Sequence, residues 1–172
     1  MADEDGRIRW YSPDPRTIIE LDRFNISRRL GRTIRSQKFE VAIDRDFDGV
    51  IRGCADREET WISEEIAAAY SALHRFGKAH SVEAYYDGKL AGGIYGVSLG
   101  GAFMGESMFT IVRDASKVCL AFLVGRLKER GYALFDVQFT TAHLKRFGAV
   151  DISRREYMRR LEKALRLSCR FD

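Results

Sequence analysis

The stretch HSVEAYYDGKLAGGIYGVSLGGAFMGESMF, His80 to Phe109, decides the fold. It divides into three consecutive strands, HSVEAYYDG, KLAGGIYGVSLG and GAFMGESMF, rich in the β-branched and aromatic residues that suit a pleated surface. Asp87-Gly88 is a two-residue hairpin turn, and Gly100-Gly101 supplies a second. Downstream, Asp114 to Arg130 has helical spacing, with Val118, Leu120, Ala121, Leu123, Val124 and Leu127 on a wide apolar face and Gly131 as its stop. YALFDVQF then predicts a strand, Ala142 to Phe147 a helical turn or two, AVDI a short strand, and Ser153 to Leu167 a basic terminal helix. Upstream, Ser27 to Ser36 reads as a short basic helix capped by Ser27. FEVAIDRDF follows as a half-buried strand, Asp46 to Cys54 as a short helix, and a longer helix starts at Ser63 and stops at Gly77. Hairpins before the long helix and a strand after it predict an α/β (α+β) fold, one mixed, mainly antiparallel sheet flanked by helices.

Composition narrows the class. The 172 residues are 45% hydrophobic and 31% charged, and 29 Lys+Arg against 25 Asp+Glu leave a net charge of +4. This is the profile of a mildly basic globular domain, and no apolar run approaches the roughly 18 residues of a membrane span. No repeat or linker-like shift divides the chain, so residues 1–172 read as one domain. The start, MADEDGRIRW, lacks a secretory signal, and Cys54, Cys119 and Cys169 are odd in number and far apart, so we expect a reduced, cytoplasmic protein. Three cysteines and three histidines without metal-ligand spacing argue against a metal centre, and Cys54 and Cys119 read as buried, inert thiols.

The blocks WYSPDPR, NISRRLGR, CADREETWIS, ALHRFGKAHSVE, GGIYGVSLGGAFMGESMF, DASKVCL, FDVQF and FGAVDISRREY run in order from Trp10 to Tyr157. Together they resemble the leucyl/phenylalanyl-tRNA-protein transferase family. The resemblance implies an acetyltransferase (GNAT)-like fold and ribosome-independent transfer of Leu or Phe from aminoacyl-tRNA to a protein N-terminus bearing Lys or Arg. The product carries a destabilising N-terminus, a mark for bacterial proteolysis. An amine attacking an ester already activated by the tRNA ribose requires no ATP, metal, other cofactor or covalent enzyme intermediate. The protein must align the amine, remove a proton, stabilise an oxyanion and assist the departing hydroxyl. The residues leave the preference among Leu, Phe and Met open.

Asp136 and Gln138 lie two apart in FDVQF, so alternation sends both side chains to one face and Phe135, Val137 and Phe139 to the other. From that pattern alone, a cross-strand pair on a solvated face is the simpler reading. The resemblance, to a D-x-Q motif usually written D-C-Q, implies that Gln138 holds the attacking amine and Asp136 orients Gln138. The proton acceptor stays open among Asp136, water and the tRNA. Glu106 in GESMF resembles the family's active-site glutamate, which implies that it binds the amino group of the aminoacyl moiety or helps to position the acceptor amine; the alternative is an exposed carboxylate on a strand edge. Matching the family's aminoacyl side-chain pocket gives Ile94, Phe103, Leu120 and Leu123, with Phe135 a weaker member because alternation turns it from Asp136.

Arg28, Arg29, Arg32, Arg35 and Lys38 form an electrostatic signal for tRNA phosphates that needs no base reading. The basic run Arg154, Arg155, Arg159, Arg160 and Arg166 is interrupted by Asp151, Glu156 and Glu162 and reads as a solvated helix face. Family members carry a further N-terminal segment with a G-I-F-P-W element, whose aromatic residues help receive the terminal adenosine. Here Trp10 and Tyr11 are the aromatic residues in that neighbourhood, and packing against the domain is the expectation for Trp10. Two rival readings follow. An acyl-CoA-dependent N-acyltransferase requires a glycine-rich phosphate turn, which TIVRDASK lacks. A non-catalytic tRNA- or substrate-binding module predicts binding without product.

Overall fold

The computed structural model describes residues 8–172; the first seven residues, part of the opening read above as lacking a signal, lie outside that range. A seven-stranded sheet has the order β2-β3-β4-β5-β6-β1-β7. Its strands are β1 (Arg16–Ile19), β2 (Glu40–Ile43), β3 (Ala79–Tyr86), β4 (Lys89–Leu99), β5 (Ala102–Thr110), β6 (Leu134–Gln138) and β7 (Ala149–Ile152). The helices are α1 (Arg28–Arg35), α2 (Phe47–Ala55), α3 (Glu64–Arg75), α4 (Ala115–Glu129), α5 (Ala142–Lys145) and α6 (Arg154–Leu165), with a single 3-10 turn at Leu21–Arg23. All strand pairs are antiparallel except β5 with β6. The expected mixed, mainly antiparallel sheet with flanking helices is therefore the observed one.

Local chemistry sets the boundaries. Ser27, Asp46, Ser63, Thr141 and Ser153 each accept a backbone N–H from the first turn of the helix that follows. Asp87 and Gly88 adopt φ of 50° and 72°, the left-handed pair that the β3–β4 hairpin requires. β1 is the element that the sequence pattern did not reveal. It has four residues, and Thr17, Ile18 and Ile19 are all buried, Ile19 in the α4-side core and Ile18 in the cluster under α6, so no polar-apolar alternation marks it.

Two layers of core pack against the sheet. On one face, Val82, Ala84, Ile94, Phe103 and Phe135 meet Leu120, Leu123 and Leu127 of α4. On the other, Tyr95, Ala79 and Phe109 meet Phe47, Val50, Ile51 and Ile66 of α2 and α3. α6 adds a smaller cluster in which Ala164 packs with Ile18, Ala102 and Leu134. Gly96 on β4 allows a close approach: a Cβ there would collide with the Met104 carbonyl and the Phe103 ring.

Two irregularities in β5 prepare the site. Against β4, Gly96 pairs with Gly105 but Tyr95 pairs with Ser107, which leaves Glu106 as the extra residue of a bulge. Against β6, the parallel pairs Ala102–Leu134, Phe103–Phe135 and Met104–Asp136 end the ladder, although β5 continues to Thr110 and β6 to Gln138. The sheet parts there, where its two halves meet.

Candidate active site

Asp136, the last β6 residue paired with β5, is fully buried. The Arg16 guanidinium donates from Nε to both carboxylate oxygens, at 3.0 and 3.2 Å, and from Nη2 to Oδ2 at 2.7 Å. The Tyr157 hydroxyl donates to Oδ2 at 2.8 Å, and the Gln138 backbone N–H donates to Oδ1 at 2.9 Å. Arg16 also lies 4.9 Å from the centre of the Tyr157 ring, a cation–π contact that holds both donors in place. Burial, together with the Asp136 carboxylate beside it, pushes the Tyr157 phenol well above its usual range, so it stays a protonated donor. A buried carboxylate needs such partners, since unpaired it would be expelled or neutralised.

The strand does not run straight into Gln138. Gln138 has a φ of +58°, and the Phe139 N–H donates across it to the Val137 carbonyl at 2.7 Å. This is a three-residue γ-turn in its strained, positive-φ form. It breaks the alternation assumed from sequence, so Gln138 and Phe139 line the same cleft, whereas Asp136 stays beneath it. Left-handed backbone at a non-glycine residue is costly and persists where the surroundings hold it. Here the Asp136–Gln138 hydrogen bond and the β1 register pair Thr17–Gln138 do so.

Glu106 lies on the β5 bulge and lines that cleft with Arg16, Tyr70 and Gln138. It is partly buried rather than an exposed edge carboxylate. Desolvation holds its carboxyl above the usual glutamate range, and the nearby Asp136 charge adds to the rise. A hydrogen bond from Tyr70 and the charge of Arg16 oppose it. The cleft holds about 270 Å³ and has an aromatic rim of Trp10, Tyr11, Trp61 and Phe139. Trp10 is 95% exposed and, instead of packing against the domain as expected, stands at the rim of this cleft.

The four residues matched to an aminoacyl pocket, Ile94, Phe103, Leu120 and Leu123, share the α4-side core and are 0–3% exposed. Phe135 is fully buried in the same cluster, with its ring 5.9 Å from that of Phe103. The basic residues lie apart from the cleft. Arg28, Arg29, Arg32 and Arg35 are exposed on α1, with Lys38 just after it, and Arg29 forms an ion pair with Asp114 at 3.5 Å. On α6, Arg159 and Arg160 are bound by Glu156, in keeping with a solvated face. Cys54 and Cys119 are buried, and desolvation pushes the Cys54 thiol up to about 11. Among the described residues, no group of three or more potential ligands could hold a metal.

Sequence reasoning missed Arg16, Tyr157 and Tyr70. Arg16 ends the block WYSPDPR and Tyr157 ends FGAVDISRREY, so two of the three were inside motifs already singled out. What the sequence could not supply was that β1 pairs alongside β6 while α6 packs on it.

The sequence profile described as leucyl/phenylalanyl-tRNA protein transferase matches residues 18–162. The chain belongs to that family. A leucyl/phenylalanyl-tRNA-protein transferase from Rubrobacter xylanophilus is 59% identical over 172 residues, covering 99% of this chain and 90% of the relative. A protein of the same name from Gloeobacter violaceus is 56% identical, covering 99% and 89%. Among solved structures, a functionally unknown conserved protein from Staphylococcus epidermidis has a TM-score of 0.51 at 10% identity, over 80% of this chain and 56% of that one. That likeness is one of fold. A ribosomal-protein-alanine N-acetyltransferase from Brucella melitensis has a TM-score of 0.43 at 16% identity, over 55% and 75%. Among the described residues, no helix of the transferase-family chain is long and apolar enough to cross a membrane.

Proposed function

We propose that this chain transfers Leu or Phe from aminoacyl-tRNA to the N-terminal Lys or Arg of an acceptor protein, on a single acetyltransferase-like domain. Such a product is a mark for degradation, and the work is cytoplasmic. One observation carries the reading beyond the family: Gln138, at a strained turn, and Glu106, at a bulge, line one cleft at the point where the sheet parts.

In this reading the Gln138 side-chain oxygen accepts a hydrogen bond from the attacking amine and aims it at the ester carbonyl. Asp136 acts through the backbone of Gln138. Both of its oxygens already accept hydrogen bonds from Arg16, Tyr157 and the Gln138 N–H, which counts against Asp136 as the proton's destination. Glu106, held above the ordinary carboxylate range and bonded by Tyr70, is better suited to bind the cationic amine and draw off its proton. Its negative charge also suits an acceptor that begins with Lys or Arg. The aromatic rim offers faces on which the terminal base of the tRNA can stack. Ile94, Phe103, Leu120 and Leu123 are the apolar wall for the transferred side chain, and the parting of β5 from β6 is the way in to it.

The deciding experiment is transfer of radiolabelled Leu or Phe from charged tRNA to a protein beginning with Arg, with Gln138→Ala as control. Transfer that disappears in the control supports the reading. Charged tRNA bound without transfer overturns it in favour of a binding module.

A further inference from the structure

A second set of cations lies outside this cleft, around the first turn of α4. Arg29 of α1 and Lys117 of α4 bind the same Asp114 carboxylate, at 3.5 and 2.7 Å. The charge of Arg113 also acts on that carboxylate, so one negative charge is set against three positive ones. A cleft of about 630 Å³ opens beside them, lined by Asp56, Arg57, Thr110, Ser116, Lys117 and His143. Within it the Arg57 guanidinium donates to the Met108 carbonyl and the Ser107 hydroxyl, and the surplus of cations lies on the Lys117 side. Arg146, just beyond α5, adds to that surplus. Burial first, and then the charges of Lys117 and Arg146, hold the His143 imidazole below its usual range.

Position gives this surplus a partner. Arg29 joins it to the exposed arginines of α1 through Asp114. At the other end Met108, which also lines the cleft, is two residues along β5 from Glu106. A polyanion anchored on α1 with its end at Glu106 would cross this surface. A lysine held by a carboxylate, an arginine beyond it and the hydroxyl of Ser116 are groups that bind phosphodiester oxygens without reading bases.

We propose that the cleft between Arg57 and Lys117 is a second phosphate-binding surface, which carries the backbone of the tRNA's 3′ end from α1 to the Glu106 cleft. This rests on the donor being a tRNA, as argued above, and extends its contacts beyond α1.

The test is binding of charged tRNA to the full chain across a series of NaCl concentrations, with Lys117→Ala, Arg146→Ala and Lys117→Arg. Each alanine variant lowers the slope of log affinity against log salt by about one and raises KM for aminoacyl-tRNA several-fold, with little change in kcat. Lys117→Arg restores the slope, which separates lost charge from misfolding. Unchanged slope and KM in both alanine variants of a chain that still transfers would overturn the proposal alone. A parent chain that neither binds charged tRNA nor transfers from it overturns the donor reading as well.

Discussion

The Asp136 carboxylate accepts the backbone N–H of Gln138 at 2.9 Å, so the aspartate acts on the turn that carries the glutamine. Its other partners are Arg16 and Tyr157, both protonated donors, and the four groups form one buried cluster. Arg16→Met leaves that carboxylate buried without its counter-charge, at an expected cost of about 3–5 kcal/mol. Arg16→Lys recovers only part of the loss, because an ammonium cannot match the two-pronged contact. Urea denaturation of both variants, with kcat measured on the folded fraction, checks the order parent, lysine, methionine.

Gln138→Gly relieves the positive φ and is expected to leave stability unchanged or to raise it by roughly 1 kcal/mol, while transfer collapses. Gln138→Ala loses transfer equally but keeps the strain. A glycine variant less stable than the alanine variant in chemical denaturation counts against strain at this turn.

Tyr70→Phe removes the hydrogen bond that pulls the Glu106 carboxyl down, so its already raised value rises further. If ionised Glu106 is the working form, the acid limb of kcat/KM moves to higher pH in the variant. Stability carries the opposite sign to a salt-bridged carboxylate. The contribution is fully present below the ordinary glutamate range and is lost as pH rises through the raised value. A pH–rate profile with an unmoved acid limb excludes Glu106 as its source.

Reversing charge at Arg28, Arg32 and Arg35 weakens charged-tRNA binding by the same factor for different tRNA sequences. It also flattens the salt dependence, by roughly 0.7–0.9 for each phosphate no longer neutralised. Filter binding at several salt concentrations reads both effects. Affinity that changes for one tRNA alone would point to base recognition.

Leu123→Ala truncates a residue with no exposed surface, and destabilisation of about 2–5 kcal/mol is expected. If Leu123 also walls the aminoacyl pocket, the added room shifts transfer toward Phe over Leu by several-fold. Competition between the two charged tRNAs measures the ratio, and an unaltered ratio assigns Leu123 to the core alone.

Much of the fold was legible because its signals are local. Asp87-Gly88, the serine caps at Ser27, Ser63 and Ser153, and the apolar face of α4 each specify their element within a few residues. β1 was not legible, since a strand buried on both faces leaves no period to detect. At the site, the nature of Asp136, Gln138 and Glu106 could be read from their motifs, but their orientation could not. Alternation fails where a γ-turn reverses Gln138, whose strand partner Thr17 is far away in sequence, and where a bulge against the neighbouring strand β4 displaces Glu106. The Arg16 and Tyr157 contacts were hidden as well, because they depend on β1 pairing beside β6 and on α6 packing against it.

The Asp136 clamp draws its donors from the first strand and the last helix of the fold. A chain still emerging from the ribosome can therefore hold β5 and β6 complete and yet lack Tyr157 and the α6 packing that completes the enclosure. Gln138 gains its full support only once synthesis has passed α6, so the strained turn is braced after both strands that frame the cleft have been made.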